Sequence, residues 1–256
     1  EQKFSNDEAN TAEENVSFQR AYVNGKLGGL AVQAGRYNFT DLTGGNIYDT
    51  RVDGVQVAYG KDVKLVAGYA KAANKDGISS STGNNAKDTY YAELSGKVEN
   101  LSLAAGYYKF EDVKEEAGVD DTIWTVAANY AFDKNVKLTG DYAWGPSVEN
   151  AKVGPDVKNN AYSIELDYKG ADAADAGSWG AYVAYRQLAP FATLVPTYDF
   201  KAGYAGFYTL KGWEIGADYT FAKNIIATAK YFNGKDTEKT NDDKATGVFT
   251  RVDFMF

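Results

Sequence analysis

The sequence predicts an all-β protein, a transmembrane antiparallel up-and-down β-barrel of about 14 strands, with a range of roughly 12 to 16. Three observations predict this fold. Apolar and polar residues alternate in segments that return about every 10 residues, the joints between them are alternately short and long, and aromatic residues recur at two heights on the apolar face. The composition agrees, because 20 Tyr, 13 Phe and 26 Gly in a chain of 256 residues suit strands and turns better than helices.

The alternation predicts thirteen strands within the chain itself. They are expected near residues 15–27, 30–39, 50–59, 62–72, 88–98, 101–111, 121–132, 136–145, 159–169, 178–188, 209–221, 224–232 and 245–256. A bacterial single-chain barrel has an even number of strands, so we expect one strand upstream of Glu1 to be missing and the intact barrel to have about 14. Residues 1–256 are otherwise expected to form one transmembrane domain. The polar opening EQKFSNDEAN contains no apolar signal segment and is typical of a mature or trimmed product.

The joints between the predicted strands favour one rim of short turns and one rim of long loops. The short joints are Gly28-Gly29, Gly60-Lys61, Glu99-Asn100, 133–135 and 222–224, and the long ones include 73–87, 112–120, 146–158 and 233–244. The short turns also repeat one phrase, which begins at Tyr59, Phe132 and Phe221 and reads YGKDVKL, FDKNVKL and FAKNIIA. Short periplasmic turns and long external loops are typical of outer-membrane barrels.

Aromatic residues on the apolar face predict two girdles at the membrane interfaces. Strands that descend from the long loops begin with an aromatic residue, and most carry a second one about eight residues later. Eight residues of a strand tilted by roughly 40° rise about 21 Å, close to the apolar band of roughly 25 Å between girdles. A soluble β-sandwich also alternates, but it does not need aromatic residues at two fixed heights. The predicted girdle residues are Tyr69, Tyr90, Tyr107, Trp124, Phe132, Tyr142, Trp144, Tyr162, Trp213, Phe221, Phe254 and Phe256.

The opposite face of the same strands is polar and predicts a water-filled lumen. Burying so many charges in a dry core would be prohibitive, whereas charges along a hydrated wall keep their water. The predicted lining residues from this face are Lys64, Glu93, Lys97, Lys137, Asp141, Glu165, Asp167, Arg186, Glu214, Asp218, Lys230, Arg251 and Asp253.

Two residue types are absent, and their absence disfavours whole classes of function. The chain has no Cys and no His, which removes thiolate metal sites, the commonest metal ligand and the commonest general base. We therefore expect no cofactor, no metal and no catalysis. A net charge of -8 argues against nucleic acid as a partner. No run reaches the roughly 18 apolar residues of a spanning helix, so membrane residence requires a barrel.

These patterns predict a bacterial outer-membrane pore for the passive diffusion of small hydrophilic solutes and ions. Its partners would be outer-membrane lipid and those solutes. Segment 111–121 is strongly acidic, and acid at the mouth predicts a weak preference for cations. Two alternatives remain open. One is a barrel plugged by its own loops, with a structural or adhesive role, and the other is an outer-membrane enzyme, for which Glu165 and Asp167 would be the candidate acid and base.

Two stretches carry a resemblance to a known family. FQRAYVNGKLGGLAVQAGRY at residues 18–37 and IYDTRVDGVQVAYG at residues 47–60 resemble the general porins. The short-turn phrase and the ending TRVDFMF resemble more closely the barrels of porins that an N-terminal SLH domain tethers to peptidoglycan, the OmpM-like family. That tether is absent from this chain, so peptidoglycan would be a partner only through it.

The resemblance implies a homotrimer in which Arg36 and Arg20 project into the pore. Arg36, however, shares the parity of Leu30, Val32 and Ala34, which should face lipid. A lumen position therefore requires a bulge, and the alternative is an exposed arginine at the rim. Loop 40–49 is short for an inward-folded constriction loop, and the longest irregular segment, 189–208, is apolar enough to be buried in the lumen or against a neighbouring subunit.

Overall fold

The computed structural model describes residues 20–72, 88–114, 119–146, 158–189, 191–194, 197–198, 209–237 and 244–255. They form a single antiparallel sheet of 13 strands in which each strand pairs with the next one in the chain. The strands are β1 Ala21–Leu27, β2 Leu30–Thr40, β3 Asp49–Gly60, β4 Val63–Ala72, β5 Thr89–Val98, β6 Leu101–Lys114, β7 Val119–Ala131, β8 Val136–Trp144, β9 Asn160–Lys169, β10 Trp179–Leu188, β11 Leu210–Ala222, β12 Ile225–Asp236 and β13 Lys244–Phe254. The predicted all-β up-and-down architecture is confirmed.

The strand ends differ from the prediction mainly at the long-loop rim. The alternation of β12 fades after Phe232, yet the strand continues to Asp236, and Lys235 pairs with Lys244 of β13. Backbone pairing needs no apolar side chain, so ladders extend beyond the residues that alternation can reveal. Residues 15–19 of the first predicted strand lie outside the described residues.

The sheet has two edges, β1 and β13, which do not pair with each other in the described part of the chain. The closed barrel of about 14 strands therefore stays a prediction. No helix of the described residues is long and apolar enough to cross a membrane.

The outer face carries a row of aromatic rings near the long-loop rim. Tyr69 and Tyr90 lie 5.1 Å apart between ring centres, Tyr107 and Trp124 lie 4.7 Å apart, and Tyr142 and Trp144 lie 5.9 Å apart. The row then passes from Tyr142 through Tyr162 and Tyr185 to Trp213, at centroid distances of 6.4, 6.3 and 4.8 Å. Tyr185 joins this row although the sequence analysis did not select it.

A second group of outward aromatic residues lies near the short turns. Phe132, Phe221 and Phe254 are all more than half exposed, at 55%, 65% and 59%. Tyr168 and Trp179 accompany them, with ring centres 5.6 Å apart. Phe256 lies outside the described residues. Aromatic side chains at two heights of one face are the pattern of an apolar band between two interfaces.

The inner face is not polar along its whole height. Near the long loops it holds a packed apolar cluster that includes Phe39, Tyr48, Tyr91 and Phe110. Phe39 stacks on Tyr91 at 4.3 Å, and Tyr48 stacks on Phe110 at 5.8 Å. The charged wall that the sequence predicts is therefore interrupted by this apolar cluster near the long loops.

A glycine on β4 makes room for one member of this cluster. A Cβ atom on Gly68 would lie 2.2 Å from the ring of Tyr91, which is only 3% exposed and is held by Phe39. Replacing Gly68 with Val is expected to destabilise the barrel by about 2 kcal/mol, because the ring has no free space to enter. The midpoint temperature at which the folded form is lost on SDS gels measures this change. Gly25→Val is the matched control, since a Cβ atom added at Gly25 meets nothing within 4 Å; an equal shift in both variants would contradict the explanation.

Candidate functional site: the lumen and its inward loops

The sheet curves around a cavity of about 710 Å³ lined by residues from β4 to β12. Inward side chains of these strands form its wall, and residues of segment 42–46 together with Thr197 and Tyr198 cover part of it. Eight of the lining residues expected from the sequence lie on it: Lys64, Lys97, Lys137, Asp141, Glu165, Arg186, Glu214 and Lys230. Strand pairing explains this convergence, because residues of the same parity on paired strands share a face.

Five further expected residues occupy the same inward rows but bind neighbouring wall residues. The Glu93 carboxylate accepts a hydrogen bond from Tyr108 at 2.8 Å, and Asp167 pairs with Lys137 at 3.3 Å. Asp218 accepts a hydrogen bond from Thr228 at 2.6 Å. On β13, Arg251 pairs with Asp253 at 2.8 Å, and Arg251 lies directly opposite Thr228.

Arg36 lies on the outer face and not in the lumen. Its guanidinium makes two hydrogen bonds of 2.7 Å to the carboxylate of Asp53, its strand partner on β3. The pairing of β2 with β3 runs through Gly35 and Arg36 without a register shift, so no bulge reverses the parity. The pore position implied by the family resemblance is therefore wrong for Arg36. Arg20 is exposed just before β1 and is not among the residues that line the cavity.

The short segment 41–48 between β2 and β3 folds into the lumen. Asp41, which is 2% exposed, organises it: its carboxylate accepts hydrogen bonds from the backbone N–H groups of Thr43, Ile47 and Tyr48 at 2.7 to 2.8 Å. The Thr43 hydroxyl donates to the same carboxylate. Burial raises the pKa of Asp41, and these hydrogen bonds oppose that rise. The expectation that segment 40–49 is too short to fold inward is wrong, because one carboxylate supplies the turn that a longer loop would otherwise need.

Contacts with the walls hold this inward loop in place. The backbone N–H of Leu42 donates to the Tyr108 hydroxyl at 3.2 Å, and Asn46 contacts the carboxylate of Asp141. Residues 189 and 191–193 of segment 189–208 are also buried, and the segment adds two backbone hydrogen bonds, from Leu194 to Ile47 at 2.9 Å and from Thr197 to Gly45 at 2.8 Å. Of the two places expected for that segment, its described residues occupy the lumen.

Arg186 is the centre of the most buried charged group of the wall. Its guanidinium donates to the carboxylate of Glu165, to that of Glu214 at 3.3 Å and to the Tyr198 hydroxyl at 2.8 Å. The Arg186 and Glu214 side chains are 5% and 3% exposed. The Tyr182 hydroxyl donates to Glu214 at 2.6 Å. Two acids therefore surround one base, and the group as a whole does not present a free positive charge to the lumen.

The charges on the cavity favour bases over acids. Among the described residues the six lining bases are Lys61, Lys64, Lys97, Lys137, Arg186 and Lys230, and the four lining acids are Asp62, Asp141, Glu165 and Glu214. Lys64 and Lys97 make no ion pair with any described residue. Most side chains of the acidic segment 111–121 lie outside the described residues. In the described part of the chain, no cluster of three or more acids could hold a metal ion.

The sequence analysis did not select Asp41, Asn46, Tyr108, Tyr182 or Tyr198. Asp41 carries a recognisable signal, because Asp followed two residues later by Thr, and then by Gly-Gly-Asn, is typical of side-chain capped turns. The tyrosines carry none, because a Tyr in an alternating strand is as suitable for a girdle as for the lumen.

Comparisons with known proteins agree with this geometry. A family model described as Gram-negative porin matches residues 2–150, more than half of the chain, and a second, described as putative porin, matches residues 122–242. No curated protein matches the chain by sequence.

Solved structures share the fold at low sequence identity. The anion-selective porin from Comamonas acidovorans is 15% identical with a TM-score of 0.58, and the match covers 91% of this chain and 72% of that one. OpdO from Pseudomonas aeruginosa is 9% identical with a TM-score of 0.63, with 90% and 67% covered. OpdH from the same organism is 13% identical with a TM-score of 0.59, with 90% and 68% covered. The finer resemblance to SLH-tethered porins, with peptidoglycan as partner, stays a prediction. The sheet carries two aromatic belts on its outer face and encloses a charged cavity. Together with the family match over more than half of the chain, this architecture shows that the chain belongs to the Gram-negative porins of the outer membrane.

Proposed function

We propose that the chain forms a water-filled pore through which small hydrophilic solutes and ions diffuse passively, without catalysis. The observation that carries this proposal is the cavity of about 710 Å³, which is lined by nine successive strands, β4 to β12, and presents charged side chains from seven of them. Charged groups of both signs on an inner surface need water around them, and that water is the path for solutes.

A second candidate function is a plugged barrel with a structural or adhesive role. The apolar cluster around Ile47 and Tyr48 and the buried residues 191–193 favour it, because they fill the inner face near the long loops. Planar-bilayer recordings of the purified protein separate the two functions. Stepwise, ohmic conductance supports the pore, whereas insertion without conductance steps would support the plug.

The ion preference follows from which charges the narrow part of the pore presents. Acid in loop 111–121 favours cations at the mouth, whereas the cavity lining has six bases against four acids. The charge nearest the permeating ion acts with the least screening, so the charges of the cavity lining influence the ion preference more than the charges at the mouth do. The proposal is therefore a weak preference for anions, in place of the cation preference that the loops alone predict. The Comamonas acidovorans porin of similar fold is described as anion-selective.

Replacing Lys64 and Lys97 together with Gln tests this preference. Their ammonium groups make no ion pair with a carboxylate of the described residues, so their loss removes positive potential from the wall. We expect the anion-to-cation permeability ratio, measured from reversal potentials in a salt gradient, to fall by about twofold. Lys71→Gln is the control, because Lys71 lies on the outer face beside Asp88. A clear cation preference in the unmodified protein would refute the anion proposal while leaving the pore itself intact.

Assembly as a homotrimer is part of the same proposal, and the outer face of β1 to β3 supports it. The strand partners that continue the row of Tyr69 on this side are Val55, Ala34 and Val23, so the upper aromatic row stops here. A surface whose upper part carries no interfacial aromatic residue is suited to another protein surface rather than to lipid headgroups.

Cross-linking in detergent tests the trimer. The chain has no Cys, so Val55→Cys introduces a single thiol on the proposed contact face. A short bis-maleimide is expected to convert most of this variant to covalent dimers. Val126→Cys, on the outer face of β7, is the control and should remain monomeric. Equal cross-linking of both variants, or of neither, would count against the proposed contact face.

A further inference from the structure

The short-turn rim carries a repeated pairing of an aromatic residue with a lysine that the pore itself does not explain. Phe132 precedes Lys134 and Phe221 precedes Lys223 in the repeated turn phrase, and both rings face outward. Lys134 does not line the lumen cavity and instead lines a cleft on the outside of the rim.

The cleft is formed by the longest joint on this rim, segment 170–178 between β9 and β10. Backbone hydrogen bonds fold this segment, from Asp175 to Asp172 at 3.0 Å and from Ser178 to Asp175 at 3.1 Å. A third, from Gly177 to Thr220 at 2.8 Å, attaches it to β11. A cleft of about 730 Å³ remains between it and the turn that joins β7 to β8. Its lining residues include Lys134, Lys169, Asp175 and Trp179.

Lys169 is held in this cleft by an unusual backbone conformation. Its φ angle is 58°, in the left-handed region that non-glycine residues adopt at a cost, and its N–H donates to the Asn135 carbonyl at 2.6 Å. Its ammonium group lies 4.9 Å from the ring centre of Trp179 and 5.4 Å from that of Tyr168. Both rings belong to the lower aromatic belt, so the ammonium group lies at the membrane interface.

An apolar strip lies directly above the cleft on the outer face. Leu138 pairs with Tyr130 on one side and with Leu166 on the other, and these three side chains are 37%, 43% and 43% exposed. Val136, nearer the turn, pairs with Tyr168. The strip runs from the cleft into the apolar band, which is the direction that the acyl chains of a lipid would take.

We propose that this cleft binds the phosphoethanolamine headgroup of a glycerophospholipid from the periplasmic leaflet. The ammonium groups of Lys134 and Lys169 receive the phosphate, the carboxylate of Asp175 receives the headgroup ammonium, and the acyl chains lie on the strip of Tyr130, Leu138 and Leu166. Every charged side chain of the cleft then meets a headgroup charge of opposite sign.

Other ligands fit the same lining less completely. Inorganic phosphate would use the two lysines but leave Asp175 facing an anion. A peptide of the cell wall could use the charges, but it has no group for the apolar strip. An anionic phospholipid without an amine would likewise leave Asp175 unpaired.

Lipid retention in nanodiscs tests the proposal. The intact chain is placed in phosphatidylcholine nanodiscs doped with either phosphatidylethanolamine or phosphatidylglycerol, and retained lipid is counted by native mass spectrometry. Phosphatidylcholine carries methyl groups on its ammonium and cannot donate a hydrogen bond to Asp175. We expect phosphatidylethanolamine to be retained preferentially, and Lys134→Gln with Lys169→Gln to reduce this retention more than about tenfold. Lys223→Gln, in the same turn phrase but away from the cleft, is the control and should change retention little.

A second variant distinguishes the headgroup from a simple phosphate site. Asp175→Asn should remove the preference for phosphatidylethanolamine over phosphatidylglycerol while both lipids still bind. Equal retention of all lipids by the unmodified chain, full competition by inorganic phosphate, or binding of cell-wall peptide in place of lipid would each overturn the proposal. Conductance is measured in the same variants, and since the cleft lies outside the lumen, it should not change.

Discussion

Replacing Arg186 with Gln is expected to destabilise the barrel by about 3 kcal/mol and to shift the ion preference toward cations. The guanidinium compensates two carboxylates, and the Glu214 side chain is only 3% exposed while that of Glu165 is 25% exposed. Glutamine is uncharged and too short to reach Glu165 and Glu214, so both acids would remain in the wall without a counter-charge. The thermal midpoint on SDS gels measures the stability, and reversal potentials measure the ion preference.

The same residue offers a compensated variant that isolates the cause. Arg186→Met combined with Glu165→Gln and Glu214→Gln removes the base and both acids together, and we expect most of the lost stability to return. Arg251→Gln is the exposed control, because Arg251 and Asp253 form an ion pair at which both side chains are more than a third exposed. A compensated variant as unstable as Arg186→Gln would mean that the side-chain volume of Arg186, and not its charge, holds the wall.

Replacing Asp41 with Ala is expected to release the inward loop and raise the single-channel conductance by at least about twofold. The substitution leaves the buried N–H groups of Ile47 and Tyr48 without their acceptor, and each such loss costs about 1 to 3 kcal/mol. The free energy of the segment is then lower outside the lumen, because water there can accept hydrogen bonds from these N–H groups. Asp49→Ala is the matched control just after this segment, since within the described residues Asp49 accepts only an exposed hydrogen bond from Thr40.

Conductance against pH gives a second readout for Asp41. Burial raises its pKa above the value in an unfolded loop, so the folded loop is most stable in acid and loses stability as the pH rises through the raised pKa. The conductance of the unmodified pore is therefore expected to increase with pH, and that dependence should weaken in Asp41→Ala. A variant with unchanged conductance at every pH would show that this segment does not narrow the pore.

Strand positions were predictable because alternation is local. A side chain of β8 such as Leu138 or Lys137 is assigned to its face by its parity alone, and the pairing of β7, β8 and β9 preserves that assignment. The girdle aromatic residues were predictable for the same reason. The assignment of Arg36 to the lumen was wrong because it relied on the family resemblance and not on the alternation of faces along β2. The register between β2 and β3 is continuous at Gly35 and Arg36, so Arg36 faces outward as that alternation predicts.

The amino-acid sequence by itself determined the fold class, the thirteen strands, the two aromatic belts and the alternating faces, because each depends on the identity of residues a few positions apart. Only the tertiary structure decided how the lumen is occupied. Asp41 turns its segment inward, Leu194 donates a hydrogen bond to Ile47, and Arg186 binds Glu165, Glu214 and Tyr198 from three other parts of the chain. Such contacts arise when the sheet curves and brings distant strands across a shared space, and no local pattern records which side chains will meet there.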